Sequence, residues 1–399
     1  MQAKIVLHRV LEGACKQMHA ARCEALEAAV GSALRGRCLT VTGLGRWMQG
    51  SAQEKHCIKR ADRLLSNRHL QGEVVGLYGA LTGWLVGSQP HPVFLIDWSD
   101  LDKAKRHQVL RAALVVAGRA LTLYEEVHGP QTALKADTQE RFLQRLKALL
   151  PAGCVPVLVT DAGFRTPWFK AVERMKWYWV ARIRHRHFVR FDGQRWRCCK
   201  RLYVKAGRTP RCLGSAWLTR NQPHRCTLVL FRGRAQGRHR FNAHGRRARC
   251  AYSEKHARSA REPWLLGTNL PPSHFLARRV VRLYRARMQI EEAFRDLKSP
   301  RFGLALEHHR TRSTERLGVL LLIAALALLV LWLIGTAAQQ RGLMRQYQAN
   351  TERRRAVLSA VFLGIRILER GGETFTLAEL AAAWHTIHLM NAACWGEES

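Results

Sequence analysis

Two short apolar runs in the first half of the chain each end in an aspartate. VFLID (residues 93–97) ends in Asp97, and VPVLVTD (residues 155–161) ends in Asp161. An unbroken apolar run of this length is typical of a strand that is buried on both faces of a sheet. We therefore predict two buried strands, each of which places a carboxylate at its carboxyl end.

The segments around these two runs predict the remaining elements of an α/β fold. Apolar stretches on either side of Gly118 predict a β-hairpin, and a capping-box pattern begins a helix over residues 137–150. A cap at Thr166, followed by a proline, begins a second helix, and YWVARIR (residues 178–184) predicts a further strand. The order of three strands, helix, strand, helix and strand is that of a ribonuclease-H-like α/β domain.

A later stretch, YRARMQIEEAFRDLK (residues 284–298), has no glycine or proline and is predicted to be helical. At 3.6 residues per turn, Tyr284, Arg287, Glu291 and Lys298 fall within about 60° of one another around the helix axis. One carboxylate is therefore flanked on a single stripe by a phenol, a guanidinium and an ammonium group. A solvated charged face is the ordinary explanation of such a stripe, so its meaning depends on acids elsewhere in the chain.

Residues 1–88 have the pattern of helices with basic faces. Ser51 and Glu54 have capping-box spacing before a helix whose apolar stripe lies at residues 58, 61, 64 and 65. Two short helices around a glycine-containing turn predict a helix-turn-helix-like DNA-binding region. An ordinary helical subdomain with a basic surface explains this segment equally well.

Residues 182–261 lose the helical periodicity and alternate short apolar pieces with Gly, Pro and Arg. Twenty-three lysines and arginines in this stretch are accompanied by only two acids, Asp192 and Glu254. We predict a strongly basic, β-rich insertion, followed by WLLGTN (residues 264–269) as a strand that returns to the main domain.

Residues 317–338 form an apolar run without a charged residue, long enough to span a bilayer as a helix. A helix that is buried all round inside a protein has the same composition. The run by itself favours neither interpretation over the other.

The predicted fold is an α/β, ribonuclease-H-like catalytic core with a β-rich insertion and helical regions at both ends. Its segments are a helical DNA-binding region (1–88), the first part of the core (89–184), the basic insertion (185–261), the second part of the core (262–340) and a helical C-terminal region (341–399). The last segment would complete a helical layer on the core or form a dimer contact.

The composition narrows the choice of partner. The 399 residues include 66 Lys and Arg against 29 Asp and Glu, which gives a net charge of +37 and a pI near 11.1. This excess predicts a polyanionic partner, with nucleic acid favoured over an acidic membrane surface. The 11 cysteines form no CxxC pair, so reduced thiols in the cytoplasm are favoured over a zinc site. No signal-peptide pattern is visible.

Two acids at strand ends and a third on a distant helix match the ligand set of a two-metal phosphoryl-transfer site. Asp97, Asp161 and Glu291 would supply hard carboxylate oxygens to Mg²⁺. The positive side chains of the helical stripe would hold substrate phosphates in line for the displacement. A single aspartate that ends a strand is more often a turn former, so the prediction depends on all three acids together with the stripe.

The sequence resembles the DDE transposases of bacterial insertion sequences, in the insertion-sequence-four group. The helical signature of that group is Tyr, two residues, Arg, three residues, Glu, six residues, Lys, and it is met without departure from Tyr284 to Lys298. The contexts LIDWSDL and VTDAGFRTPWF look like those of the family's first and second catalytic acids. The resemblance runs over roughly residues 40–340. It implies a ribonuclease-H-like core with a β-rich insertion, an N-terminal region that binds transposon ends, and C-terminal dimerisation.

This resemblance implies a Mg²⁺-dependent cut-and-paste reaction, with Mn²⁺ as an alternative ion. Asp97, Asp161 and Glu291 would ligate two metals while water nicks the end of the element. The freed 3′-hydroxyl would attack the opposite strand to give a hairpin. Hairpin opening and strand transfer into target DNA would follow at the same site.

The resemblance also assigns DNA contacts. Tyr284, Arg287 and Lys298 would contact phosphates near the cleaved end, and Trp264 would stack on a base flipped out for hairpin formation. A strand tryptophan packed in the core is an equally weighted alternative for Trp264. Glu292 is turned about 100° away from the stripe and is not expected to be a metal ligand.

The implied partners are the terminal inverted repeats of a transposon and a target DNA, held by a homodimer in a nucleoid-associated, cytoplasmic complex. Family members carry a comparable apolar run as a buried helix, so the resemblance favours burial over membrane insertion for residues 317–338. A catalytically silent, transposase-derived DNA-binding protein is one alternative function. A membrane-anchored basic protein, suggested by the apolar run alone, is another.

Overall fold

The computed structural model describes residue 8 and residues 18–184, 187–233, 261–352 and 354–396, together with a few positions between 246 and 257. Its contacts divide the chain into two compact units. The first contains the residues up to Pro156 together with Ala286–Gly396, and the second contains Val157–Arg285. The fold is mixed α/β and is compatible with a ribonuclease-H-like core.

The helices and strands follow one another in the predicted order. The helices are α1 (Ala20–Gly36), α2 (Val41–Arg46), α3 (Glu54–Leu65), α4 (Arg68–Val86), α5 (Ala136–Leu149), α6 (Thr166–Arg174), α7 (Leu276–Ala286), α8 (Met288–Lys298), α9 (Thr314–Gln340), α10 (Met344–Tyr347), α11 (Ala360–Arg370) and α12 (Leu377–Trp395). The strands are β1 (Val93–Asp100), β2 (Gln108–Val116), β3 (Arg119–His128), β4 (Val157–Thr160), β5 (Tyr178–Arg182), β6 (Phe188–Arg190), β7 (Arg197–Cys198), β8 (Arg211–Leu218), β9 (His224–Phe231) and β10 (Trp264–Thr268). Three strands, α5, β4, α6 and β5 therefore follow one another as predicted.

In the first unit, β1, β2 and β3 pair antiparallel in the order β3-β2-β1. The predicted hairpin is confirmed, and Gly118 turns it with a φ of 71°, which favours glycine. The prediction that the first strand ends at Asp97 is wrong, because β1 continues to Asp100. The three residues after Asp97 still pair with β2, from Trp98 opposite Leu110 to Asp100 opposite Gln108. Antiparallel pairing thus extends the strand beyond its apolar run.

The apolar run of residues 317–338 lies in α9, and the predicted burial inside the protein is confirmed. Length and composition would allow this helix to cross a membrane, but 89% of its most apolar stretch is buried by the protein itself, so the resemblance to a membrane span is weak. Helices α1, α4, α11 and α12 and strand β3 surround it. Because every side of α9 faces protein, the whole helix is apolar rather than one stripe of it.

Two glycines allow α9 and α11 to approach at backbone distance. A Cβ atom on Gly335 would collide with the carbonyl oxygen of Ala360, and one on Gly364 would collide with the carbonyl oxygen of Leu331. These are the positions at which the two helices depend on the absence of a side chain.

In the second unit the strands pair in the order β4-β5-β10-β9-β8-β6-β7. Strands β4 and β5 are parallel and joined through α6, whereas β10 pairs antiparallel with both β5 and β9. The strands predicted near residues 155–161, 178–184 and 264–269 are confirmed. The insertion is β-rich as predicted, with β6 to β9 inside it, although the apolar residues 203–205 lie in a 3₁₀ segment, Cys199–Lys205.

The predicted helix caps are wrong in detail. Helix α3 begins after Gln53 and α5 after Lys135, and neither receives a side-chain cap bond, so the expected capping boxes are not formed. Helix α6 begins with Thr166 itself, one residue earlier than a cap at that position requires, and the capping position is held by Arg165. A capping pattern supplies residue types and spacing, but the direction from which the chain enters decides which residue caps the helix.

The N-terminal helices have the predicted apolar and basic faces. On α3, Ala61, Leu64 and Leu65 are buried with Cys57, while Ile58 is only partly buried. The basic residues of the same helix are exposed: Lys55, Lys59, Arg60 and Arg63. A helix-turn-helix role for this region stays a prediction.

Candidate active site

The guanidinium of Arg287 joins two of the predicted metal ligands. Its Nη1 donates to Asp97 Oδ2 at 3.1 Å, and its Nη2 forms an ion pair with Glu291. The Asp97 and Arg287 side chains are only 14% and 13% exposed, whereas Glu291 is 42% exposed. One strand acid and the helix acid therefore belong to a single charged cluster, with the cation between them.

Asp97 is held in place by its own strand. Its Oδ1 accepts the backbone N–H of Trp98 at 2.9 Å, which leaves Oδ2 for the guanidinium of Arg287. Its register partner across the antiparallel pair is Arg111 on β2. The pairing with β2 therefore holds the backbone of this acid inside the strand.

The positions of Glu291 and Arg287 are set by α8, which contains Glu291 and begins directly after Arg287. This helix contacts β1, β2 and β3, and its buried apolar residues are Ile290, Ala293, Phe294 and Leu297. The predicted single helix over residues 284–298 is wrong, because α7 ends at Ala286 and α8 begins at Met288. Arg287 keeps right-handed dihedrals (φ −53°, ψ −32°), and its carbonyl accepts from the Ile290 amide across a tighter, three-residue turn.

A buried ion pair lies beneath α8. Arg111 Nη2 and Glu125 Oε2 are 2.6 Å apart, and both side chains are 1% exposed. Tyr78 donates its hydroxyl to Glu125 Oε1 at 2.9 Å, and the Arg111 guanidinium lies 4.5 Å from the ring centroid of Phe294 on α8. Burial, with the Glu125 carboxylate beside it, raises the pKa of Tyr78 well above its usual range. The sequence signal that could have indicated this pair is the presence of a charged residue in each of two apolar strands, Arg111 in β2 and Glu125 in β3.

Lys298 is bound to the end of β1. Its Nζ donates to Ser99 Oγ at 2.6 Å and to the carbonyl oxygen of Asp100. Burial, reinforced by the nearby Arg111 guanidinium, lowers the pKa of the Lys298 ammonium to about 8. The last residue of α8 therefore ties the helix to the strand that carries Asp97.

The neighbouring acids on α8 have partners of their own. Asp296 accepts from Arg119 Nε at 2.5 Å, and burial raises the pKa of this carboxyl. Glu292 pairs with Arg295 and lies 3.8 Å from Arg119. These contacts hold α8 to the β2–β3 hairpin and agree with the expectation that Glu292 points away from Glu291.

The other predicted site residues lie in the second unit. Asp161 directly follows β4, is partly exposed, and accepts the backbone N–H of Gly163 at 2.7 Å. On β10, Trp264 meets the edge of Tyr284 with ring centroids 4.9 Å apart, and Phe231 lies 5.8 Å away. Tyr284 is only 6% exposed, while Trp264 is partly exposed. Both interpretations of Trp264, as a stacking surface and as a packed strand residue, remain open.

The acids of the first unit suit a hard divalent ion. Asp97 and Glu291 both pair with the guanidinium of Arg287, and carboxylate oxygens are ligands that hard divalent ions such as Mg²⁺ take. Among the described residues, no three His, Cys, Asp or Glu side chains form a group that could hold a metal. The donor chemistry therefore fits the ion through two of the three acids.

A comparison with protein families matches residues 88–330 to the transposase DDE domain. The match contains all seven predicted site residues, from Asp97 to Lys298. A search of curated proteins gives no match for the chain.

Proposed function

The chain belongs to the transposase DDE domain family, and we propose that it catalyses cut-and-paste transposition of a bacterial insertion sequence by two-metal phosphoryl transfer. The insertion-sequence-four group, with its signature at Tyr284, Arg287, Glu291 and Lys298, is part of this proposal. The net charge of +37 supports a DNA substrate.

The cluster of Asp97, Arg287 and Glu291 carries the proposal. Arg287 and Asp97 are 190 residues apart in the chain and yet share a hydrogen bond. If this stripe were only a solvated charged face, Arg287 would need no partner on β1. The pairing of both acids with the same guanidinium supports a site that uses the strand acid and the helix acid together.

Asp97 and Glu291, with Asp161 as the third acid, would hold Mg²⁺ or Mn²⁺. When bound, these ions supply an activated water or hydroxyl and stabilise the leaving oxygen of the phosphodiester. The carboxylates would keep the ions in place, and Arg287 would turn from the acids towards the phosphate of the cleaved end. The reaction would nick the transposon end, form a hairpin on the opposite strand, reopen it and join the end to target DNA.

The remaining signature residues would position the DNA. Tyr284 and Lys298 are proposed to lie near the phosphates of the cleaved end, with Lys298 also fastening α8 to β1 through Ser99. Trp264 would stack on a flipped base. A homodimer would hold two terminal inverted repeats, with residues 1–88 on the DNA and residues 341–399 in the dimer contact.

We propose a cytoplasmic, nucleoid-associated protein, and the burial of α9 inside the protein supports the part of this proposal that excludes a membrane span. Cell fractionation tests this part of the proposal. Protein that stays with the membrane pellet after high-salt and carbonate washing would contradict it.

The activity is tested with purified protein, Mg²⁺ and linear DNA that carries the inverted repeats flanking the coding sequence. Wild-type protein should produce hairpinned ends, and Asp97→Asn, Asp161→Asn and Glu291→Gln should each produce none. Glu292→Gln is the matched control, since it removes a neighbouring carboxylate outside the cluster and should cleave normally. A wild-type protein that binds the ends but never cuts them would favour the catalytically silent DNA-binding alternative.

A further inference from the structure

The basic insertion presents an aromatic ring between two arginines on one face of its strands. Trp217 on β8 lies opposite Arg190 on β6 and opposite Arg225 on β9 in the strand registers. Directly opposite residues of neighbouring strands point to the same side of a sheet. These three residues are called the Arg–Trp face below.

The two arginines of the Arg–Trp face lie within cation–π distance of the tryptophan. The guanidinium carbons of Arg225 and Arg190 lie 5.7 and 6.0 Å from the ring centroid of Trp217. Arg190 also lies 5.2 Å from the ring of Trp196, which extends the aromatic surface beyond the strand. Cation–π stacking of this kind holds guanidinium planes in fixed directions without neutralising them.

The Arg–Trp face is on the solvent side of its strands. On β8, the neighbours of Trp217, Ala216 and Leu218, are buried, whereas Trp217 is partly exposed. On β9, Arg225 is exposed between two buried residues. The pleat therefore directs the apolar positions to the core and leaves a tryptophan outside.

One carboxylate orients this face. Asp192 accepts from Trp217 Nε1 at 2.9 Å and from Arg225 Nη2 at 3.0 Å. Within the described part of the chain, Arg190 forms no ion pair with a carboxylate. The Arg–Trp face thus retains net positive charge beside a partly exposed indole.

We propose that the Arg–Trp face binds an unpaired DNA strand, with a base stacked on Trp217 and the phosphates bound by Arg190 and Arg225. Only an unpaired base can offer its flat surface to an aromatic side chain, whereas duplex DNA offers mainly phosphates. The proposal rests on the proposed function, because the strand nicked at a transposon end must leave its duplex to form the hairpin.

Binding is measured by fluorescence anisotropy with a labelled oligothymidylate of about 16 nucleotides, in EDTA, so that no cleavage occurs. Trp217→Ala should weaken binding about tenfold, the usual scale for loss of one base–aromatic stack, and Trp217→Phe should retain most of it. Arg190→Gln and Arg225→Gln should each lower the slope of log affinity against log salt by about 0.7. Arg201→Gln, an exposed arginine of the same insertion outside this face, should bind like wild type.

Thermal unfolding of each variant distinguishes a lost contact from a lost fold. The proposal is overturned if Trp217→Ala is folded and binds the oligonucleotide like wild type. It is also overturned if the loss is equally large on a matched duplex, since phosphate contacts would then explain the whole effect. The proposed function fails in a different way, with intact single-strand binding and no cleavage of transposon ends in Mg²⁺.

Discussion

Arg287 donates to Asp97 Oδ2 at 3.1 Å and so connects α8 with the interior of β1. Because Arg287 also pairs with Glu291, one guanidinium is shared by two carboxylates. Removal of this cation would take away the positive charge that the two acids share and would increase the repulsion between them.

Arg287→Gln should therefore lower the stability of the protein in EDTA by about 1–3 kcal/mol, the usual cost of unpairing a largely buried charged hydrogen bond. Mg²⁺ should stabilise this variant more than it stabilises wild type, because the guanidinium no longer competes with a divalent ion for the two carboxylates. Thermal unfolding with EDTA and with Mg²⁺ measures both effects. Arg310→Gln, at an exposed arginine, should behave as wild type, and equal Mg²⁺ effects in Arg287→Gln and wild type would contradict the shared-cation interpretation.

Lys298 should make the stability depend on pH above 8. Its pKa is lowered from 10.5 to about 8 in the folded protein, so between these values the unfolded chain binds more protons than the folded one. The stability of wild type should therefore rise with pH from about 8 to about 10.5, relative to a variant that lacks this ammonium group. Urea unfolding of Lys298→Met across this range should lack the rise, while Lys103→Met in an exposed turn should retain it. A parallel pH dependence of Lys298→Met and wild type would show that the ammonium is not desolvated.

The buried pair of Arg111 and Glu125 should be costly to break from one side only. Glu125→Gln or Arg111→Met should each destabilise the protein by about 3–5 kcal/mol, because the remaining partner is left charged and buried. The double variant Arg111→Met/Glu125→Leu should lose much less than the sum, which chemical denaturation measures as a coupling energy. Glu54→Gln breaks the pair with Arg46, in which both side chains are 60% exposed, and should change stability by less than about 0.5 kcal/mol. Strict additivity of the single changes would contradict the pairing.

The crossing of α9 and α11 should not tolerate a side chain at its glycines. Gly364→Ala should destabilise the protein by about 1–3 kcal/mol or more, because the new Cβ atom meets the backbone of Leu331 and the helices must separate. Gly318→Ala is the control. Gly318 lies in α9, the helix that contains Leu331, and its new Cβ atom meets no atom within 4 Å. This change should be neutral or stabilising by up to about 1 kcal/mol. Thermal unfolding compares the stability of the two variants. Similar changes at both glycines would show that helix propensity, and not the contact with Leu331, determines the change in stability.

Much of the fold could be predicted from local patterns. The apolar runs located β1 and β4, the turn at Gly118 located a hairpin, and a charge-free stretch located the buried α9. These elements can be predicted because residues that are neighbours in the chain are buried together, and a run of apolar side chains indicates such burial directly. The boundaries were less accurate. Strand β1 extends past Asp97 because β2 pairs with the residues that follow it. No pattern within β1 alone could show this pairing.

The chemical groups of this protein can be identified from the order of its residues: a strong excess of positive charge, three acids in strand and helix contexts, and a stripe of basic residues beside Glu291. How these groups meet depends on the tertiary structure. It broke the predicted helix at Arg287, placed that guanidinium between Asp97 and Glu291, bound Lys298 to Ser99, and aligned Trp217 with arginines of two other strands. Residue type and spacing act within one helix or strand. Charge pairs and cross-strand contacts join elements that are far apart in the chain, and the packing of the core sets the distance between those elements.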